Sequence, residues 1–64
     1  MQLDSFQLAQ KKVTEAAEIA AKKTRTRNYS MLRYHPDVLD AIHETRDILS
    51  LDDIEELIIK LLPN

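Results

Sequence analysis

The chain has 64 residues and a formal net charge of −2 at pH 7, and it contains neither glycine nor cysteine. This length allows one domain (residues 1–64) with a modest core. The absence of cysteine excludes disulfides and the most common zinc ligands, and the absence of glycine disfavours sheet-rich folds, which need it in their turns. Because disulfides, metals and partner subunits are the usual supports of so short a chain, we expect a homodimer or higher oligomer.

The first predicted element is an amphipathic helix in the segment LDSFQLAQKKVTEAAEIAAKK. Asp4 or Ser5 can cap its start, and Asp4 with Gln7 three residues later resembles a capping box. Lysines near its end complement the helix dipole. An alanine-rich stripe at alternating steps of three and four residues predicts a face that packs closely against another helix. This stripe consists of Phe6, Ala9, Val13, Ala16 and Ala20.

The segment TRTRNYSMLRYH (24–35) has two interpretations. Its Thr, Ser, Asn and Tyr residues lower helix propensity and allow an extended strand, with Asn28 ending the first helix in a left-handed conformation. Alternatively, the first helix continues through the segment as one long helix up to His35. Pro36 stops the helix in either case, because a residue before proline avoids helical geometry.

The rest of the chain, from Pro36 onward, predicts a helical hairpin. Pro36 suits the first turn of a helix, and Ser50 is the expected cap of a second helix. We therefore predict a mainly α fold, with an N-terminal amphipathic helix, a C-terminal hairpin and one short strand (about 27–34) that pairs between subunits. The alternative is an all-α three-helix or long-helix bundle. The predicted oligomer core comprises Leu32, Val38, Ile42, Leu49, Ile54, Leu57, Ile58 and Leu61.

The composition argues against catalysis. The chain has no cysteine nucleophile and no glycine-rich phosphate loop, and His35 and His43 are its only imidazoles. We therefore predict a non-enzymatic protein with no cofactor, no metal and no small-molecule substrate. No apolar run reaches membrane-spanning length, and the N-terminus lacks the apolar core of a signal peptide. These features predict a cytoplasmic protein without a membrane partner, or one encoded by a virus or plasmid inside a host cell.

Charge is distributed unevenly along the chain. Residues 1–33 carry seven Lys or Arg against three carboxylates, whereas residues 34–64 carry two against eight. No carboxylate lies between Glu18 and Asp37, and this basic segment predicts contacts with duplex DNA. An equally open interpretation is a helix end that continues into a solvated linker. The candidate DNA-binding residues are Lys22, Lys23, Arg25, Arg27, Asn28, Tyr29 and Arg33.

The second half carries an acidic stripe. Asp37, Asp40, Glu44 and Asp47 recur at steps of three, four and three residues, which places them on one helical face. This face is either the solvated side of an amphipathic helix or a docking surface for a basic protein partner, such as a toxin or enzyme that the chain inhibits.

The string LRYHPDVLDAI, followed by a serine-capped apolar helix, resembles the ribbon–helix–helix repressors of phages and plasmids. The resemblance covers residues 27–62. It implies that a strand from each subunit joins a two-stranded ribbon in the major groove, while the helices interlock into a dimer. Its groove-facing side chains would be Arg27, Tyr29, Met31 and Arg33, with Asn28, Ser30, Leu32 and Tyr34 facing inward.

The leading functional prediction is thus a dimeric DNA-binding transcriptional regulator. The first alternative is a helical interaction module or inhibitor that docks through its acidic and apolar hairpin. The second is a structural helical oligomer assembled through the alanine-rich stripe of the first helix.

Overall fold

The computed structural model describes residues 4–63. These residues form four helices: α1 (Ser5–Thr24), α2 (Tyr29–Arg33), α3 (Pro36–Thr45) and α4 (Leu51–Lys60). The mainly α prediction is confirmed, in the form of its all-α alternative. Within the described part of the chain there is no strand, so the strand predicted for residues 27–34 is wrong.

Helix α1 begins with the expected capping box. The Asp4 carboxylate accepts a hydrogen bond from the Gln7 backbone N–H at 2.7 Å, and the Gln7 side chain accepts one from the Asp4 N–H at 3.4 Å. The helix ends where Arg25 adopts the left-handed conformation, with φ at 57°. The left-handed residue predicted at Asn28 is therefore three positions earlier in the chain, and the single long helix is also excluded.

The loop after α1 leads into a short helix because Asn28 caps it. The Asn28 side-chain oxygen accepts hydrogen bonds from the N–H groups of Ser30 and Met31, at 3.0 and 3.4 Å. Leu32 is then fully buried, and Tyr29 packs against the core. A strand here would need a partner strand to satisfy its backbone, whereas the capped turn satisfies these N–H groups locally.

The C-terminal hairpin is confirmed. Pro36 occupies the first turn of α3, and the His35 imidazole accepts a hydrogen bond from the Asp37 N–H at 3.1 Å. Ser50 caps α4 through a reciprocal pair of hydrogen bonds with Asp53, at 3.1 and 3.2 Å. Both starts thus follow from local side-chain chemistry.

The residues predicted as an oligomer core lie mainly within one chain. Two of them, Leu57 and Leu61, are partly buried and pack against the core. The other six are buried within the single chain. These six are Leu32, Val38, Ile42, Leu49, Ile54 and Ile58.

The alanine-rich stripe of α1 packs into the same core. Ala9, Val13 and Ala20 are buried and Ala16 is partly buried, whereas Phe6 at the start of the stripe stays 42% exposed. This face is therefore used for packing within the chain, and the structural oligomer would need a different surface. None of the helices in residues 4–63 has the length and apolar character needed to cross a membrane.

Candidate binding surfaces

Ion pairs join the basic side of α1 to the acidic stripe of α3. The Lys12 Nζ lies 2.6 Å from a Glu44 carboxylate oxygen, and the Lys23 Nζ lies 2.8 Å from one of Asp37. The two pairs run in opposite order along the helices, so α1 and α3 are antiparallel. Two members of the predicted acidic docking face are thus paired within the chain, while Asp40 and Asp47 remain exposed.

Arg27 bridges α1 to the end of α4. Its guanidinium donates hydrogen bonds to both Glu18 carboxylate oxygens, at 3.2 and 3.0 Å, and to the Leu61 carbonyl at 3.1 Å. This fork-like pairing uses the planar geometry of arginine. Arg27 therefore holds the loop before α2 against the rest of the fold, and its charge is largely satisfied.

The residues of the basic segment therefore do not form a single surface. Lys23 and Arg27 are paired with the protein's own carboxylates, Asn28 caps α2, and Tyr29 packs on the core. Lys22 and Arg25 are exposed and, with Arg27, line a depression of ≈ 370 Å³ at the end of α1. The structure therefore brings together only the first part of the predicted DNA surface. Arg33, the last residue of the predicted DNA surface, lies in a different place. Its guanidinium carbon is 5.2 Å from the centre of the Tyr34 ring, and its side chain lines a different groove.

These contacts shift the titration of three carboxyl groups. The hydrogen bond from Arg27 holds the pKa of Glu18 below its ordinary value. In the same way, the hydrogen bond from Lys23 lowers the pKa of Asp37, and that from Lys12 lowers the pKa of Glu44. The charged form of each carboxylate is therefore favoured in the folded state.

We expect the protein to lose stability in acid because of these three groups. A carboxyl group whose pKa is lower in the folded state stabilises the fold above its unfolded pKa, and this contribution disappears as the pH falls through the folded value. Urea unfolding followed by circular dichroism between pH 7 and pH 2 measures the loss. The pairs are exposed, so added salt should reduce the contribution at neutral pH.

The triple variant Glu18→Gln, Asp37→Asn and Glu44→Gln provides the control. It removes the three titrations while keeping side-chain size, so its stability should depend less on pH over this range. A triple variant with the same acid dependence as the natural chain would contradict this assignment.

A basic and apolar groove lies between the end of α2, the middle of α3 and the start of α4. It has a volume of ≈ 320 Å³. Leu39 and Leu51 are 42% and 60% exposed at its sides. Within residues 4–63, no carboxylate oxygen lies within 4.0 Å of the guanidinium of Arg33 or Arg46. The full lining is Arg33, Leu39, Ile42, His43, Arg46 and Leu51.

Sequence reasoning missed this groove, although one signal for it was present. Leu39, His43 and Arg46 follow each other at steps of four and three residues, so they form a stripe on α3. Arg33 and Leu51 come from neighbouring elements, and only the fold brings them to this stripe.

A second groove lies between α1 and the end of α3, with a volume of ≈ 530 Å³. Leu8 and Ile48 supply its exposed apolar surface, and Ala9 and Thr45 form buried parts of its wall. The Thr45 hydroxyl is satisfied within α3, where it donates to the Ala41 carbonyl at 2.9 Å. The rim carries both signs of charge, from Lys11, Lys12, Glu15 and Glu44.

No protein-family model, curated protein or solved structure matches this chain. Within residues 4–63, no three His, Asp or Glu side chains form a group that could hold a metal ion.

Proposed function

We propose that this protein is a small regulatory protein that acts by binding a protein partner, without catalysis, and that it does so as a homodimer in the cytoplasm. The observation that carries the proposal is the basic and apolar groove between α2, α3 and α4. Two of its apolar side chains, those of Leu39 and Leu51, are exposed to water. Its two guanidiniums have no carboxylate partner among the described residues.

The chemistry of the groove selects an acidic amphipathic segment as its partner. Leu39, Leu51 and the buried Ile42 line the groove together, so an apolar side chain of the partner would lose water on entering it. Arg33 and Arg46 would accept carboxylates on the same segment, through charge-assisted hydrogen bonds. Arginine is among the residues that most often contribute strongly to binding at protein interfaces.

The structure also gives a reason to prefer this groove over the acidic stripe as the docking surface. Asp37 and Glu44 are engaged by Lys23 and Lys12, so a basic partner would have to displace contacts within the chain. Arg33 and Arg46 require no such displacement. Attraction of opposite charges would also raise the rate of association with an acidic segment.

Binding of a labelled helical peptide built from leucine and glutamate tests the proposal. Fluorescence anisotropy should show binding that weakens with added salt, and Arg33→Gln with Arg46→Gln should reduce affinity by about tenfold or more, corresponding to about 1.4 kcal/mol. Arg25→Gln is the matched control, because it removes an exposed arginine outside the groove. The same peptide with lysine in place of glutamate should not bind. Equal binding of both peptides, or no binding of either, would overturn the proposal.

Transcriptional regulation by DNA binding is the second candidate, and one observation favours it. Lys22, Arg25 and Arg27 converge at the end of α1, in a depression whose lining includes no Asp or Glu side chain of residues 4–63. The ribbon geometry is not available for this contact, because residues 29–33 are helical. Phosphate contacts made by Lys22 and Arg25 would therefore dominate, with little direct reading of base sequence.

Titration of duplex DNA at several salt concentrations tests this second candidate. Lys22→Gln and Arg25→Gln should each reduce the slope of log affinity against log salt by about one, the expected effect of losing one phosphate contact. Arg46→Gln serves as the control at a distant arginine. A natural chain that does not shift duplex DNA at low ionic strength would exclude DNA binding.

A further inference from the structure

Helix α1 has a second stripe, on its exposed side. Leu8, Lys12, Glu15 and Ile19 follow each other at steps of four, three and four residues, the spacing of a coiled-coil seam. Leu8 and Ile19 are 52% and 48% exposed. The side chains of Lys12 and Glu15 are more than half exposed as well. This stripe is distinct from the alanine-rich stripe that packs into the core.

The exposed stripe is complementary to its own reversed order, because each apolar residue then faces an apolar residue and each charge faces its opposite. An apolar residue stands at each end, and two residues of opposite charge stand between them. A second helix laid antiparallel, with the two-fold axis between Val13 and Thr14, places Leu8 against Ile19 of the second copy. The same register places Lys12 against Glu15 of the second copy, and each contact occurs twice by symmetry.

We propose that this exposed stripe of α1 is the subunit contact of a homodimer in which the two α1 helices pack antiparallel. The inference rests on the homodimer of the proposed function and assigns it a surface. The six buried residues of the predicted oligomer core are at most 6% exposed in the single chain, whereas Leu8 and Ile19 of the stripe are about half exposed.

The groove between α1 and α3 provides space for the apolar contact. Leu8 and Ile48 flank it, and the antiparallel register brings Ile19 of the second copy to this place. The Ile19 side chain of the second copy would then be buried at one end of the seam. Ile19 of the first copy would be buried in the same way at the other end. Burial of both ends supplies the attraction for the pairing.

Charge selects a second copy in this orientation. A parallel pair in register would place Glu15 against Glu15 and Lys12 against Lys12, which is repulsive, whereas the antiparallel pair places opposite charges together. Lys12 would then lie between Glu44 of its own chain and Glu15 of the second copy. A uniformly acidic or uniformly basic partner would lack this match.

Sedimentation and light scattering at protein concentrations up to about 1 mM, where even a dissociation constant of about 1 mM would be detected, test the assembly. We expect a dimer for the natural chain and a monomer for Leu8→Asp and Ile19→Asp. Met31→Asp is the matched control, because Met31 is 50% exposed on α2, outside the stripe. Circular dichroism of each variant establishes that its helices are retained.

Chemical crosslinking tests the register directly. The natural chain has no cysteine, and residues 8 and 19 of one helix are separated by about 16 Å along its axis. The double variant Leu8→Cys with Ile19→Cys, treated with a bis-maleimide that spans about half of that distance, should therefore form covalent dimers. Each single variant should form few, because identical positions lie far apart in the antiparallel pair.

The outcomes separate this inference from the proposed function. A natural chain that stays monomeric overturns both the homodimer and its interface, but leaves peptide binding at the basic and apolar groove to its own test. A dimer that survives both Asp variants overturns the α1 interface alone. Crosslinking of the single variants in place of the double one overturns the antiparallel register.

Discussion

Replacement of Leu32 by alanine is expected to lower the free energy of unfolding by about 3 kcal/mol, within the range of roughly 2–5 kcal/mol measured for buried leucines. Leu32 is completely buried and joins α2 to the core shared by α1, α3 and α4. For a chain of this size the total stability is on the order of 3–10 kcal/mol. The substitution should therefore remove a large part of it, as a shift of the urea midpoint measured by circular dichroism.

The neighbouring substitution Met31→Ala is the control. Met31 is exposed on the same short helix, so the loss should stay within about 0.5 kcal/mol. Comparing the losses of unfolding free energy at these adjacent residues tests whether only one face of α2 packs against the core. Equal losses at the two positions would contradict the burial of Leu32 in this helix.

The ends of the long helices could be predicted because their signals are local. Asp4, Pro36 and Ser50 each stand within three residues of the groups they satisfy or constrain. Such contacts form whatever the rest of the chain does, so the sequence shows them directly. For this reason the sequence predicts the first residues of α1 and of the two hairpin helices almost correctly.

The short helix α2 could not be predicted in this way. Asn28 is equally suited to end a helix or to begin one, and Arg25 took the left-handed position. The choice is settled by distant contacts, since Leu32 must reach the core and Arg27 must reach Glu18 and the Leu61 carbonyl. Partners as far as 34 positions away are invisible to a reading of residues 24–35 alone.

Distant contacts also decide which charges of the chain remain available to a partner. The basic first half and acidic second half suggested two surfaces for different partners, but Lys12 and Lys23 pair with Glu44 and Asp37 of the same chain. Only the antiparallel packing of α1 on α3 reveals this. Arg33 and Arg46 of the basic and apolar groove have no carboxylate partner within residues 4–63, and they form a positive surface that counting charges in each half of the chain does not locate.

Alanine in the core face of α1 could be read as a sign of close packing, and Ala17 offers the sharpest test of it. Ala17 is fully buried between the helices. We expect Ala17→Leu to destabilise the protein by about 1–3 kcal/mol, because extra methylenes in a filled core force side chains and backbone apart. Helix propensity changes little between these residues and does not offset the loss.

The same substitution at Ala16 is the matched control, since Ala16 lies at the edge of the core and is only partly buried. Leucine there can extend toward solvent, so its cost should be much smaller than at Ala17. Urea unfolding of both variants separates steric crowding from added hydrophobicity. If Ala17→Leu were as well tolerated as Ala16→Leu, α1 would not lie as close to its neighbours as the buried alanines require, and the exposed stripe on its far side would lose its fixed position for pairing with a second copy.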